Sequence, residues 1–200
     1  MNDPRPVGLP EWAEVANEVP LPLRLRVEDY ILLDNAGAFQ GYARTELLGG
    51  EIVYMNAQHR PHWRTKMAVY DALRDAIRAA GLTLTPFTEG SVAIPPADMP
   101  EPDVAVTSEP DGDGYVPVAS VVLVVEVSDA SLTFDLGRKR ARYALAGVPE
   151  YWVADINARV VHQFWVPTGE TYSERRLVPF GEPVEAATIA RLSIPTTRLG

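Results

Sequence analysis

The sequence predicts an α/β domain built on a mixed sheet. Three observations point there: a long amphipathic pattern over residues 61–80, a second helical pattern over residues 133–146, and short strand-like runs placed before, between and after them. In the first pattern the apolar residues Trp63, Met67, Tyr70, Leu73 and Ile77 recur at helical spacings of three and four, with Pro61 suited to the first turn and Gly81 to the stop. Gly147 and Pro149 end the second.

In chain order, residues 1–26 form an N-terminal Pro-rich arm, since Pro4, Pro6, Pro10, Pro20 and Pro22 block regular hydrogen bonding and leave room for a short helix around Trp12 to Glu18 at most. A single domain is expected over 27–200. It opens with a short helix at Val27 to Leu33, followed by the run ELLGGEIVYM, which reads as a hairpin turning at Gly49-Gly50. After the long helix come strands at Leu82 to Phe87, Ser91 to Ile94, Asp103 to Val106 and Val121 to Val127, separated by Pro, Gly and Asp clusters. Beyond the second helix, YWVADI, VVHQFW and TYSERRLV alternate as further strands, and ATIARLSI closes the domain.

Composition bounds the function. With 200 residues, 46% of them hydrophobic and 22% charged, the chain can bury a full core as one domain. The absence of cysteine excludes disulfides and thiolate metal sites, and the opening segment is too polar for a signal peptide or membrane span, so a cytoplasmic soluble protein is expected. A formal net charge of −9 argues against nucleic-acid binding through bulk electrostatics; any such contact must be local.

The stretch VVLVVEVSDAS places Glu126 inside an aliphatic strand, where an unpartnered carboxylate costs several kcal/mol, so a partner, a metal or a wet cleft is required. Alternation puts Glu126 on one face with Val122, Val124 and Ser128, at a strand end where clefts form. Asp103, in EPDVAV, stands at the start of another strand, and two acids on neighbouring strand ends can share a hard divalent cation that keeps waters and takes a substrate phosphate. In TFDLGRKRARYALAG, Lys139 lies three residues after Leu136 and four before Tyr143, a spacing that turns it toward the sheet. Two acids with an inward lysine form a workable device for phosphodiester hydrolysis.

The ordered set ELLGGEIVYM, a His-bearing helix start, EPDVAV, VVLVVEVSDAS and DLGRKRARYALAGVPEYWVAD resembles the Uma-two family of restriction-endonuclease-like proteins, a branch of the PD-(D/E)XK nuclease superfamily, over roughly residues 27 to 195. The resemblance implies a restriction-endonuclease-like mixed β-sheet flanked by helices and a Mg2+- or Mn2+-dependent endonuclease acting on DNA, working as a homodimer. It implies that Pro102-Asp103 is the PD element, that Glu126 is the second metal-binding acid, and that Glu51 is a further metal ligand or water-positioning group. The superfamily's lysine would fall at Ser128; Lys139 is the replacement the resemblance offers. His62 occupies the family's His-bearing helix start.

Each residue has a plainer reading. Glu126 could form an ion pair with a nearby Arg or Lys, Asp103 could be a loop acid following proline, Lys139 could snorkel to water, and Glu51 could be a solvent-facing hairpin acid. His59 and His62 are spaced i, i+3, but the helix start lies between them and no third ligand is evident, so a zinc site has no support. His62 could be helix-terminal or touch substrate, while His162 reads as packing. No phosphate-binding loop follows Gly49-Gly50, and no serine lies in a nucleophile elbow. Two functions remain: a metal-dependent nuclease, or a nuclease-fold binding module that does not cut.

Overall fold

The computed structural model describes residues 22–55, 57–109 and 112–199. Most of the Pro-rich arm, including the helix expected at Trp12 to Glu18, lies outside the described residues. The elements in order are α1 (Val27–Asn35), β1 (Arg44–Leu48), β2 (Glu51–Met55), α2 (Arg60–Ala80), β3 (Thr85–Phe87), β4 (Val92–Ala93), β5 (Val104–Thr107), β6 (Val116–Pro117) and β7 (Val121–Ser128). A helix in three parts follows: α3 (Leu132–Phe134), a π-helical turn over Asp135–Lys139, and α4 (Arg140–Leu145). The chain ends with β8 (Glu150–Asp155), β9 (Val160–Thr168), β10 (Thr171–Pro179), β11 (Val184–Glu185) and β12 (Ser193–Ile194).

The main sheet has six strands in the order β10-β9-β8-β7-β5-β3. It is mixed: β7 and β8 run parallel, as a strand–helix–strand crossover requires, and the other pairs are antiparallel. On one face, α2 brings Val69, Leu73 and Ile77 against Val104, Leu123, Val125 and Trp152. On the other, Tyr143 and Ala144 of α4 pack with Ala105, Val124, Tyr151 and Phe164. The strand expected at Ser91 to Ile94 is shorter than its sequence run and leaves this sheet, pairing β4 with β6 instead.

Strict alternation fails at one end of β7. Val106 pairs with Leu123 but Thr107 pairs with Val121, so Val122 is an extra residue and the strand bulges. As a result Val122 packs on the α2 side with Leu123 and Val125, not on the face of Val124 as alternation predicts, and Val121 joins Val124. Downstream of the bulge the phase is regular, so Glu126 keeps the face assigned to it.

The β1–β2 hairpin turns at Gly49 and Gly50, with φ of 58° and 76°. A side chain at Gly50 would also meet Arg24 Cβ at 2.7 Å, so glycine is needed there both for its conformation and for the close approach of the incoming chain. Glu150 anchors the C-terminal segment. Fully buried, its carboxylate accepts from Trp152 Nε1, Gln163 Nε2, the Ala187 and Thr188 amides and the Thr188 hydroxyl, at 2.6–3.0 Å. Glu150→Ala is expected to cost about 3 kcal/mol, because five donors lose one acceptor together; chemical denaturation measures it, and a cost under about 1 kcal/mol would show that water replaces the carboxylate.

Candidate active site

Antiparallel pairing of β5 with β7 sets the acids. Val104 faces Val125, so one step further Asp103 meets Glu126 where the strands open. The Asp103 amide reaches Glu126 Oε2 at 3.4 Å, and the Val127 amide donates to Asp103 Oδ2 at 2.9 Å. Asp103 is held further by Gln58 Nε2, 3.2 Å from Oδ1, and by His62 Nε2, 3.2 Å from Oδ2, both from the entry to α2. Lys66, one turn on in α2, donates to Gln58 Oε1 at 2.7 Å and fixes that amide.

Lys139 enters from the π-helical turn. Its ammonium lies 3.0 Å from Glu126 Oε1 and 3.2 Å from Glu46 Oε2, and it is only 1% exposed. Tyr143 donates to the same Glu126 oxygen at 3.1 Å, and Arg44 pairs with Glu46 at 2.8 Å. The inward direction read from helical spacing is therefore present, but its companions differ. The wide turn brings Asp135, not Leu136, to line the same cavity as Lys139. Ser128, at the position of the superfamily's lysine, donates to Asp135 Oδ2 at 2.7 Å together with Ser131 at 2.6 Å, and so holds the start of that turn.

Charge is unevenly shared. The carboxyl groups of Glu46, Asp103, Glu126 and Asp135 are all buried, within a network whose permanent cations include Lys139, Arg44 and, through Gln58, Lys66. Burial pushes the Glu126 carboxyl up to about 8; Lys139 opposes this, while Asp103, Asp135 and Glu46 reinforce it. For Asp103 burial also acts upward, but the His62 hydrogen bond and charge, the Val127 amide and Lys139 outweigh it, leaving a stronger acid than usual. Asp135 moves upward through burial, against Lys139 and its two serine donors. Burial would lower the Lys139 ammonium, yet Glu126 and Glu46 more than reverse this and hold it charged.

Asp103, Glu126, Asp135 and Lys139 border a cavity of about 350 Å³, open to solvent, whose walls also include Tyr54 and His62; Glu46 lies behind it. Glu51 does not join them. It is 47% exposed at the start of β2, where Arg24 and Arg138 pair with it, Arg138 at 2.7 Å. Position along the hairpin accounts for this: the register pairs Glu51 with Leu48, so Glu51 shares the Glu46 face but stands beside the turn, where Arg138 reaches it, whereas Glu46, two residues further from the turn on β1, is fully buried. Glu46 carries the same sequence signal that singled out Glu126, an acid beside aliphatic residues in a strand, and Arg44 two positions earlier shares its face.

Among the described residues, no three His, Asp or Glu side chains cluster tightly enough to hold a metal alone. The donors nevertheless fit a magnesium-like ion that takes one or two carboxylates and completes its shell with water and phosphate. Asp103 and Glu126 are hard oxygen donors on a wet cavity, and the local excess of buried acid is what a divalent cation would neutralise. His59 caps α2 through its backbone and is not paired with His62 around a common partner. His162 lies on β9, away from this cavity.

The Uma2 family model, described as "Putative restriction endonuclease", matches residues 27–197. No curated protein matches the chain. Among solved structures, the crystal structure of a protein described as a "putative nuclease belonging to DUF820", from Anabaena variabilis, is similar at 13% sequence identity with a TM-score of 0.68, covering 89% of this chain and 97% of that one. At that identity the likeness establishes a shared fold. Among the described residues no helix is long and apolar enough to cross a membrane.

Proposed function

The chain belongs to the Uma2 family, and from that premise we propose that it is a metal-dependent endonuclease that hydrolyses phosphodiester bonds in DNA. The observation that carries this reading is the meeting of Asp103 and Glu126 at two strand ends, with the Lys139 ammonium 3.0 Å from Glu126, on the wall of one cavity. Asp103 and Glu126 would hold Mg2+ or Mn2+, which supplies Lewis-acid polarisation of the phosphate and lowers the cost of forming hydroxide from water. Glu51, exposed and paired with two arginines, has no part in it.

The remaining roles belong to the chain. Lys139, buried and kept charged between Glu126 and Glu46, positions Glu126 and offsets negative charge at the floor of the site; it has no free lone pair with which to take a proton from water. His62 and Gln58 orient Asp103 from the cavity side. His62 also lines the cavity, with its Nε2 spent on Asp103. A homodimer would place two such sites for the two strands, and is expected to elute at twice the monomer mass.

Calorimetric titration with manganese tests the site without a choice of substrate. Binding is expected in the wild type and lost in Glu126→Gln. Because Glu126 carries a proton below about pH 8, the cation competes with that proton. Affinity should therefore rise about tenfold per pH unit from 6 toward 8 and level off above it; a flat profile would show that Glu126 does not ligate. One observation favours a second reading, a binding module that does not cut: Lys139 is enclosed and committed to two acids. Manganese binding without cleavage of plasmid or linear DNA would select it.

A further inference from the structure

A second cavity, of about 550 Å³, lies on the other flank of the helix that carries Lys139. That volume is within the range of roughly 300–1,000 Å³ usual for small-molecule sites. Leu136 and Arg140 of the helix form one wall; His162 and Phe164 of β9 and Arg175 and Leu177 of β10 form the other. The strand register pairs Phe164 with Arg175 and His162 with Leu177, so these four side chains come from one face of the ribbon. Arg176, at the edge, is directed to the opposite face, where it donates to Gln163 Oε1 and the Glu185 carbonyl.

Three polar side chains of this cavity, Arg140, Arg175 and His162, are unspent. The Arg140 guanidinium lies over the Phe164 ring, 5.1 Å from its centroid, and its Nε is buried without a hydrogen-bond partner. Among the described residues neither Arg140 nor Arg175 has a carboxylate within 4.0 Å, in a chain whose net charge is −9. His162 Nε2 is also buried without a hydrogen bond, its closest acid, Asp155, being 3.9 Å away. Two unpaired arginines beside apolar walls suit a ligand that is both anionic and flat.

We propose that this cavity binds a nucleotide, a phosphate ester bearing a planar base. The base stacks on the Arg140 guanidinium, which already rests on Phe164, with Leu136 and Leu177 at its sides. Arg175 takes the phosphate through paired N–H donors. A simple carboxylate or inorganic phosphate would use the arginines and leave the apolar walls uncovered. The nucleotide has two possible sources: a free mononucleotide, or one residue of a strand that runs across the helix from the first cavity, since Asp135 and Lys139 line that cavity and Leu136 and Arg140 this one. The site stands whether or not the first cavity cuts DNA.

The test is calorimetric titration, without divalent cation, of adenosine monophosphate, inorganic phosphate and a short single-stranded oligonucleotide into the wild type, Arg175→Glu and Arg140→Gln, each checked for native circular dichroism. Arg175 is exposed, so Arg175→Glu is expected to fold normally. Loss of one charge-assisted contact should weaken binding about tenfold or more. Mononucleotide binding that weakens in this way supports a free nucleotide as the ligand; weakening seen with the oligonucleotide alone supports a residue of a strand. Inorganic phosphate binding as tightly as the mononucleotide would overturn the assignment of a nucleotide. Binding unaffected by Arg175→Glu, or no binding of either nucleotide ligand, would overturn the site.

Discussion

Glu126→Gln is expected to abolish divalent-ion-dependent cleavage of DNA, lowering the rate by at least about 10²–10³-fold, while the protein remains folded. A carboxamide keeps the shape of the carboxyl but is a poor ligand for a hard cation. The fold tolerates the change because the wild-type carboxyl, pushed up to about 8 by burial, already carries a proton at neutral pH, and Lys139 retains Glu46 at 3.2 Å. The sign follows from linkage. With its folded value raised above the ordinary carboxylate range, Glu126 contributes stability that is fully present below about pH 4.5 and is lost as pH rises through about 8. Glutamine has no proton to lose, so the variant should melt near the wild type at pH 6 and decline less toward pH 9. Asp103→Asn should remove cleavage equally, but at a stability cost, because this carboxyl is ionised in the folded protein and accepts from the Val127 amide. Wild-type cleavage rates in both purified variants would sink the assignment.

Lys139→Met should be the most destabilising change at the site, by about 3–5 kcal/mol at pH 7, the range found when one partner of a buried ion pair is removed. Methionine fills the same space, so the effect reports charge and not a cavity. Without the ammonium, the buried Glu46 carboxylate keeps only Arg44, and Glu126, protonated at this pH, loses one hydrogen-bond donor and keeps the Tyr143 hydroxyl and the Asp103 amide. For a chain of this size each kcal/mol lowers Tm by roughly 2–4 °C, so a fall on the order of 10 °C is expected. A Tm within about 2 °C of the wild type at pH 7 would mean that protons shared among the acids, not the lysine, hold this cluster together.

Elements whose signals are local are the ones the sequence shows plainly. Apolar residues at spacings of three and four with Gly81 as the stop define α2, whose C-cap is left-handed at φ 65°. Two adjacent glycines define the hairpin turn. The valine-rich run with one acid defines the central strand, and its single charge points to a cleft before any partner is known. The resemblance then named a family that the chain belongs to. The β-bulge at Val122 was hidden because it exists only in the register of β7 against β5. The π-helical turn was hidden because helical spacing assumes 3.6 residues per turn, and a wider turn changes which residues share a face.

Thus the sequence by itself determined the mixed α/β architecture, the two strand-end acids and an inward lysine, because each depends on nearest neighbours along one element. Only the tertiary structure decided that Glu46 and not Glu51 stands beside that lysine, that Gln58, His62 and Tyr143 hold the acids, and that Asp135 shares the cavity. Those groups come from separate segments of the chain, and their meeting depends on strand register, hairpin orientation and the balance of buried charge. These are properties of packed elements, which no window of the sequence contains.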